Sequence, residues 1–182
     1  MPAKLSLIDL DITYRLISIH DELVEYAPRK TAAQLPELRG GVADGSELWR
    51  YQTGGAIYSA PEIVDGVIYI GSLDHFIYAL RTQDGSVLWR YQTGDAVASL
   101  PTVSDSVLYT GSSDGFVCAL RTQDGSVLWR YQTGGAISSK AILADGIVYI
   151  GGSNGLFALQ ANNGSLAWKC GDAAFTTPTL AF

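Results

Sequence analysis

Basic residues are scarce in this chain of 182 residues: 12 lysines and arginines face 18 aspartates and glutamates, for a formal net charge of −6. A partner such as nucleic acid or an anionic membrane calls for a basic face, so neither is expected. Cysteine is scarcer still. Cys118 and Cys170 stand near neither another cysteine nor a histidine, which leaves no metal-ligand spacing and no disulfide framework. Both read as small buried hydrophobes. Apolar runs long enough to cross a bilayer, roughly eighteen residues or more, are absent, so no membrane span is expected. The opening MPAKLSLIDLDITYR is broken by acids, unlike the uninterrupted apolar core of a secretory leader. A cytoplasmic location follows as the expectation, or an extracytoplasmic one if the sequence is a piece of a longer product. Glycine-rich phosphate loops and nucleophile elbows are missing too.

Repetition is what the sequence has in abundance. ALRTQDGSVLWRYQTG occurs at Ala79–Gly94 and, unchanged, at Ala119–Gly134. DGSELWRYQTG echoes it at Asp44–Gly54, and NNGSLAWKCGD more faintly at Asn162–Asp172. Trp49, Trp89, Trp129 and Trp168 follow at intervals of 40, 40 and 39 residues. A fixed period in this range is the mark of a repeat architecture.

Turn formers recur at fixed offsets inside each period. Asp65-Gly66, Asp105-Ser106 and Asp145-Gly146 form one set; Asp74-His75, Asp114-Gly115 and Asn154-Gly155 a second; Asp84-Gly85, Asp124-Gly125 and Asn163-Gly164 a third. Such pairs supply the positive φ values of tight hairpins. A fourth break at Thr93-Gly94 or Thr133-Gly134 leaves four short strands per period. Val67–Ile70, Val107–Tyr109 and Ile147–Ile150 are apolar without alternation, as strands covered on both faces should be. The fold class expected is all-β, a β-propeller of four-stranded antiparallel blades. The Gly-His and Trp-Asp signals of WD40 blades are lacking.

The segment Ala79–Trp89 resembles the tryptophan-docking motif A-x-D-x-x-T-G-x-x-x-W of PQQ-type quinoprotein propellers, and Ala119–Trp129 and Ala158–Trp168 fit the same frame. Alanine, glycine and tryptophan match each time; arginine or glutamine replaces the motif's acid at Arg81, Arg121 and Gln160, and Asp84, Asp124 and Asn163 replace its threonine. The resemblance implies that Trp49, Trp89, Trp129 and Trp168 pack between neighbouring blades. It further implies that Ala79, Ala119 and Ala158 make room for them, and that Gly85, Gly125 and Gly164 serve the turns.

Aligned on these breaks, residues 56–94, 96–134 and 136–171 are three complete units. A lone outer strand at 47–52 precedes them and an inner strand at 174–182 follows, so the repeats occupy 42–182 and the circle is unfinished. An arc this short has an uncovered blade face. It would be completed by a second copy as a homodimer, by another protein, or by the rest of a longer chain. In Met1–Gly41 the repeat is absent. Leu5, Ile8, Ile12, Leu16, Ile19 and Leu23 step by three and four, which predicts a helix over about Ile8–Tyr26. Thr31–Gln34 reads as a capping box for a brief second turn before Pro36.

Catalytic residues should break the symmetry of the repeat. The singular candidates are His20, placed on the predicted helix; His75, in a turn position held by glycine in the sister repeats; and Lys140, on an inner strand near the channel. Each reads more simply as structural or solvent-facing. Arg50, Arg90 and Arg130 follow the tryptophans, and with Arg81 and Arg121 are expected to pair with nearby turn aspartates. No catalytic or metal site, no cofactor and no enzymatic activity are expected. The function expected is a scaffold that binds protein and completes its ring by self-association. The alternatives are a fragment of a PQQ-dependent dehydrogenase, or a small-ligand sensor using the central channel.

Overall fold

The computed structural model describes residues 47–171, together with the backbone of three strands nearer the amino terminus. Those strands are β1 (Lys4–Leu10), β2 (Thr13–His20) and β3 (Glu22–Val24). The strand expected at 174–182 and the capping box at Thr31–Gln34 lie outside the described residues.

Three successive sheets follow one plan. The first holds β5 (Glu62–Val64), β6 (Val67–Gly71), β7 (Phe76–Arg81) and β8 (Val87–Gln92). The second holds β9 (Thr102–Ser104), β10 (Val107–Gly111), β11 (Phe116–Arg121) and β12 (Val127–Gln132). The third holds β13 (Ile142–Ala144), β14 (Ile147–Gly152), β15 (Gly155–Gln160) and β16 (Leu166–Cys170). Each is an antiparallel meander whose strands pair in chain order. The first hairpin of each closes through two residues of positive φ, Asp65-Gly66, Asp105-Ser106 and Asp145-Gly146, the geometry that matches strand twist.

The first two meanders are packed by apolar side chains on both faces. Ile68, Ile70, Tyr78 and Leu80 of one blade face β4 (Glu47–Gln52), where Leu48, Trp49 and Tyr51 meet them. Tyr69, Ile77 and Ala79, alternating with that set, join Val97, Leu108, Cys118 and Leu120 of the next blade. Tyr109, Val117, Ala119 and Trp129 then meet Ile137, Val148, Ile150, Phe157 and Leu159. The cores therefore lie between adjacent blades, which is why the middle strands are apolar on both faces.

The amino-terminal segment departs from expectation. In place of a helix over Ile8–Tyr26, β1, β2 and β3 pair antiparallel and place β1 beside β4, in the order β3-β2-β1-β4. His20 accordingly ends a strand. The outer strand expected to stand alone has companions that reach it in reverse chain order. Register shows the equivalence: Leu7↔Trp49 and Leu5↔Tyr51 reproduce Ala79↔Trp89 and Ile77↔Tyr91, and a bulge follows Leu7 as it follows Ala79. Apolar steps of three and four in leucine and isoleucine satisfy a helix template locally, but the pairing with a strand some forty residues on is invisible to any local period.

Candidate functional site

The blade-to-blade seam is the repeated feature with the most defined geometry. Trp49, Trp89 and Trp129 each sit on the outermost strand of a blade and donate Nε1–H to a carbonyl in the turn of the blade that follows. The acceptors are Thr82 O, Thr122 O and Ala161 O, all at 2.8 Å. The same turns present their glycine to the indole face. A β-carbon on Gly85 would collide with the Trp49 ring, one on Gly125 would lie 2.7 Å from Cε3 of Trp89, and one on Gly164 2.5 Å from Cε3 of Trp129. Gly85, Gly125 and Gly164 also have φ near +70°, so both conformation and space call for glycine.

The predicted alanines stand at the root of each tryptophan. Ala79, Ala119 and Ala158 are fully buried and pair across the strands with Trp89, Trp129 and Trp168 of their own blades. A tyrosine completes the support: Tyr69–Trp89, Tyr109–Trp129 and Tyr149–Trp168 have ring centroids 5.8, 5.9 and 5.9 Å apart. Trp168 is thus held within its own blade as Trp89 and Trp129 are. Its outer wall differs. Trp89 and Trp129 are 8% exposed and Trp168 is 44% exposed, and every residue of β16 is exposed.

A second latch went unread in the sequence. The segment crossing from one blade to the next gives Gly54 N–H to Asp74 Oδ2 and Gly94 N–H to Asp114 Oδ2, both at 2.7 Å. The other carboxylate oxygen of each aspartate accepts Phe76 N–H and Phe116 N–H. Hairpin chemistry accounted for these aspartates so well that their second task left no separate signal. At the third crossing Asn154 stands in the aspartate's place, and its Nδ2 donates to Thr133 O. Gly134 there has φ of +81°, whereas neither Gly54 nor Gly94 is left-handed. An amide donor has replaced a carboxylate acceptor, so the crossing turns a carbonyl toward it.

Arg81 approaches Asp84 at 3.8 Å, as expected for the turn aspartates. Arg90 and Arg130 differ from that expectation: their guanidinium groups stack over Phe76 at 4.8 Å and Phe116 at 3.9 Å, and Lys169 lies over Phe157 at 5.3 Å. Cross-strand neighbours on the blade face take precedence over more distant turns. His75 adopts φ of +73° where its sister repeats have glycine, and its Nε2 lies 3.8 Å from Asp95 Oδ1 at the surface. Lys140 reaches from the third of these blades to the first, with Nζ 3.6 Å from Glu62 Oε2.

Ionisation follows burial. Desolvation pushes the Cys118 thiol up to about 11. It also raises Tyr69 and Tyr109, and raises Tyr78 further with help from the Asp74 carboxylate that its hydroxyl donates to at 2.7 Å. Among the described residues, no group of three or more His, Cys, Asp or Glu side chains is placed to hold a metal ion. Among the described residues, no helix is long and apolar enough to cross a membrane.

Residues 41–181 match the family described as outer membrane protein assembly factor BamB. The chain belongs to this family. No curated protein matches it in sequence. Among solved structures it is similar to BamB from Moraxella catarrhalis, with TM-score 0.60, 25% identity, and coverage of 69% of this chain and 40% of that one. A quinohemoprotein alcohol dehydrogenase from Comamonas testosteroni gives TM-score 0.58 at 22% identity over 64% of this chain and 21% of the enzyme. The computationally designed protein Ika8 gives TM-score 0.71 at 15% identity over 96% of this chain and 52% of that one. The chain therefore spans about half the length, or less, of each of these structures. The PQQ-like propeller expected from the tryptophan motif is the family found.

Proposed function

We propose that this chain is a non-catalytic β-propeller scaffold that acts by binding protein, with the tryptophan, alanine and glycine positions as its docking elements. The observation that carries this reading is the contrast between Trp129, walled by the next blade, and Trp168, supported identically from behind and open in front. An exposed indole on a rigid platform is an interface element by its chemistry, because large aromatic anchors dominate protein–protein binding energy. Membership in a family described as an assembly factor supports a role without catalysis. The completing partner in this proposal is a second copy, giving a homodimeric ring.

Light scattering on the 182-residue chain tests the proposal. The expected mass is twice the chain mass of 19.5 kDa, and a monomer at micromolar concentration contradicts self-association.

A dehydrogenase reading draws on the similarity to quinohemoprotein enzymes. Against it stand the paucity of clustered acids among the described residues and the separation of buried Cys118 from exposed Cys170. The described residues offer no such cluster to hold a calcium-bound quinone. Added PQQ and calcium should yield neither a cofactor spectrum nor dye reduction.

A further inference from the structure

We propose that Asn163 is a modification site: when the turn that receives Trp129 opens, the Asn163 amide cyclises onto the backbone and is lost as ammonia, which marks the chain permanently. The site lies within one chain and needs no second copy. The three turns that receive Trp49, Trp89 and Trp129 share one geometry. Ser86 N–H donates to Asp84 Oδ1, Ser126 N–H to Asp124 Oδ1 and Ser165 N–H to Asn163 Oδ1, each at 2.9 Å. Their chemistry differs. Asp84 and Asp124 are held below the ordinary carboxylate range, chiefly by the serine hydroxyls, so both are ionised at neutral pH and resist nucleophilic attack. Asn163 is exposed and uncharged, its amide has a leaving group, and Gly164 has no side chain to shield its nitrogen. Of the three receiving turns, the third alone can react in this way.

The closed turn withholds the nucleophile. Gly164 N–H donates to Gln160 O at 2.8 Å, Gln160 N–H donates to Ser165 O at 2.8 Å, and the Trp129 ring lies against Gly164. With Asn163 Oδ1 held by Ser165 N–H, the amide carbon and the Gly164 nitrogen are kept apart. Opening releases both. Gly164 N bonds to Asn163 Cγ, the Cγ–Nδ2 bond breaks, and Nδ2 leaves as ammonia with the proton from Gly164. Water then opens the cyclic imide. Cleavage at Cγ restores the backbone with aspartate at 163, the residue type the first two turns already use. Cleavage at the main-chain carbonyl leaves isoaspartate, which adds a methylene to the main chain. A turn closed by these short hydrogen bonds beneath an indole has no room for that methylene, so the seam at Trp129 does not re-form. Asn154-Gly155 has the same spelling in another setting: its Nδ2 is held by Thr133 O, and its buried Oδ1 has no hydrogen-bond partner among the described residues. Packed away from the water that opens the imide, and facing a carbonyl that would repel a carboxylate, Asn154 is the slower site.

Peptide mapping of the full chain aged at neutral pH, with isoaspartate counted by enzymatic methylation, tests the site. Amide loss at Asn163 should be at least about tenfold slower in the native chain than in urea, because the turn must open first. Trp129→Ala should speed it several-fold, whereas Trp89→Ala, which opens the preceding seam, should leave it unchanged. Where either variant lacks the far-UV spectrum of wild type, the comparison of native chain with urea and the behaviour of Asn163→Asp decide. Asn163→Asp reproduces one product and should melt as wild type does. Aged chains enriched in isoaspartate at 163 should unfold at lower urea than Asn163→Asp. Equal rates in native buffer and in urea would overturn the proposal, as would a folded Trp129→Ala chain that ages no faster than wild type. Faster amide loss at Asn154 than at Asn163 in the native chain, or a clear loss of stability in Asn163→Asp, overturns it as well.

Discussion

Trp89 Nε1 donates to Thr122 O at 2.8 Å across 33 residues of sequence, and the ring behind that nitrogen covers Gly125. A single side chain thereby fixes both the distance and the rotation of one blade against the next. The same relationship links Trp129 to Ala161 and Gly164.

Removing the indole should therefore separate packing from hydrogen bonding. Trp129→Phe keeps most of the apolar contact and strands the Ala161 carbonyl, at a cost of about 1–3 kcal/mol. Trp129→Ala also opens a cavity between blades and should cost about 3–5 kcal/mol. Urea unfolding of both variants reads the difference; equal losses would mean that the hydrogen bond alone holds the seam.

Gly125 and Gly146 have nearly the same φ, +72° and +74°, but an indole lies over the first, whereas a β-carbon on the second would meet nothing within 4 Å. Alanine at residue 146 should cost about 1 kcal/mol for the backbone conformation alone. Alanine at residue 125 should cost clearly more, because Trp89 must shift. Matched melting curves give the answer.

Asp114 binds the crossing at Gly94 through one oxygen and its own hairpin at Phe116 through the other. Asp114→Ala should destabilise by about 2–3 kcal/mol, and Asp114→Asn by less, since each lost bond has a charged acceptor. Amide hydrogen exchange should show Gly94 losing protection in the alanine variant.

Thiol chemistry should divide the cysteines. Cys170 is exposed, whereas Cys118 is buried with its thiol pushed up to about 11. An aromatic disulfide reagent at neutral pH should titrate one thiol rapidly in the native chain and the second only on unfolding. Two rapid equivalents would contradict the burial.

Asp84 and Asp124 are held below the ordinary carboxylate range, chiefly by hydrogen bonds from the Ser86 and Ser126 side chains and then from their backbone N–H groups. A depressed folded pKa gives stability that is present above the unfolded value, about 3.9. That stability is lost as pH falls through the lower folded value. Thermal melts from about pH 6 to about pH 3 should show a shallower acid limb for the double variant Asp84→Asn, Asp124→Asn than for wild type.

The propeller itself was legible because the signals that set it are local and repeated. Asp-Gly turns, unalternating strands such as Val67–Ile70 and evenly spaced tryptophans each constrain a stretch of a few residues. Reading failed where the deciding contact was distant. Leu5, Ile8 and Ile12 fit a helical stripe, and nothing near them announces that β1 pairs with β4. Arg90 and Arg130 failed for a similar reason: the rings they cover, Phe76 and Phe116, are neighbours across the blade rather than along it. Of the candidate surface, the paired roles of Asp74 and Asp114 were hidden behind their adequacy as turn formers, and the openness of Trp168 is a property of what stands beside it.

The crossing at Asn154 and Gly134 has a consequence for assembly during refolding. The two preceding crossings are chemically interchangeable, with glycine amides meeting aspartate oxygens at the same 2.7 Å. Nothing in them tells a newly formed blade which neighbour is rightfully its own, so concentrated chains are liable to trade partners. Asn154 accepts no such amide and demands a carbonyl instead. That inverted polarity gives the third crossing an address of its own, and sets the blade of β13–β16 apart from the two before it.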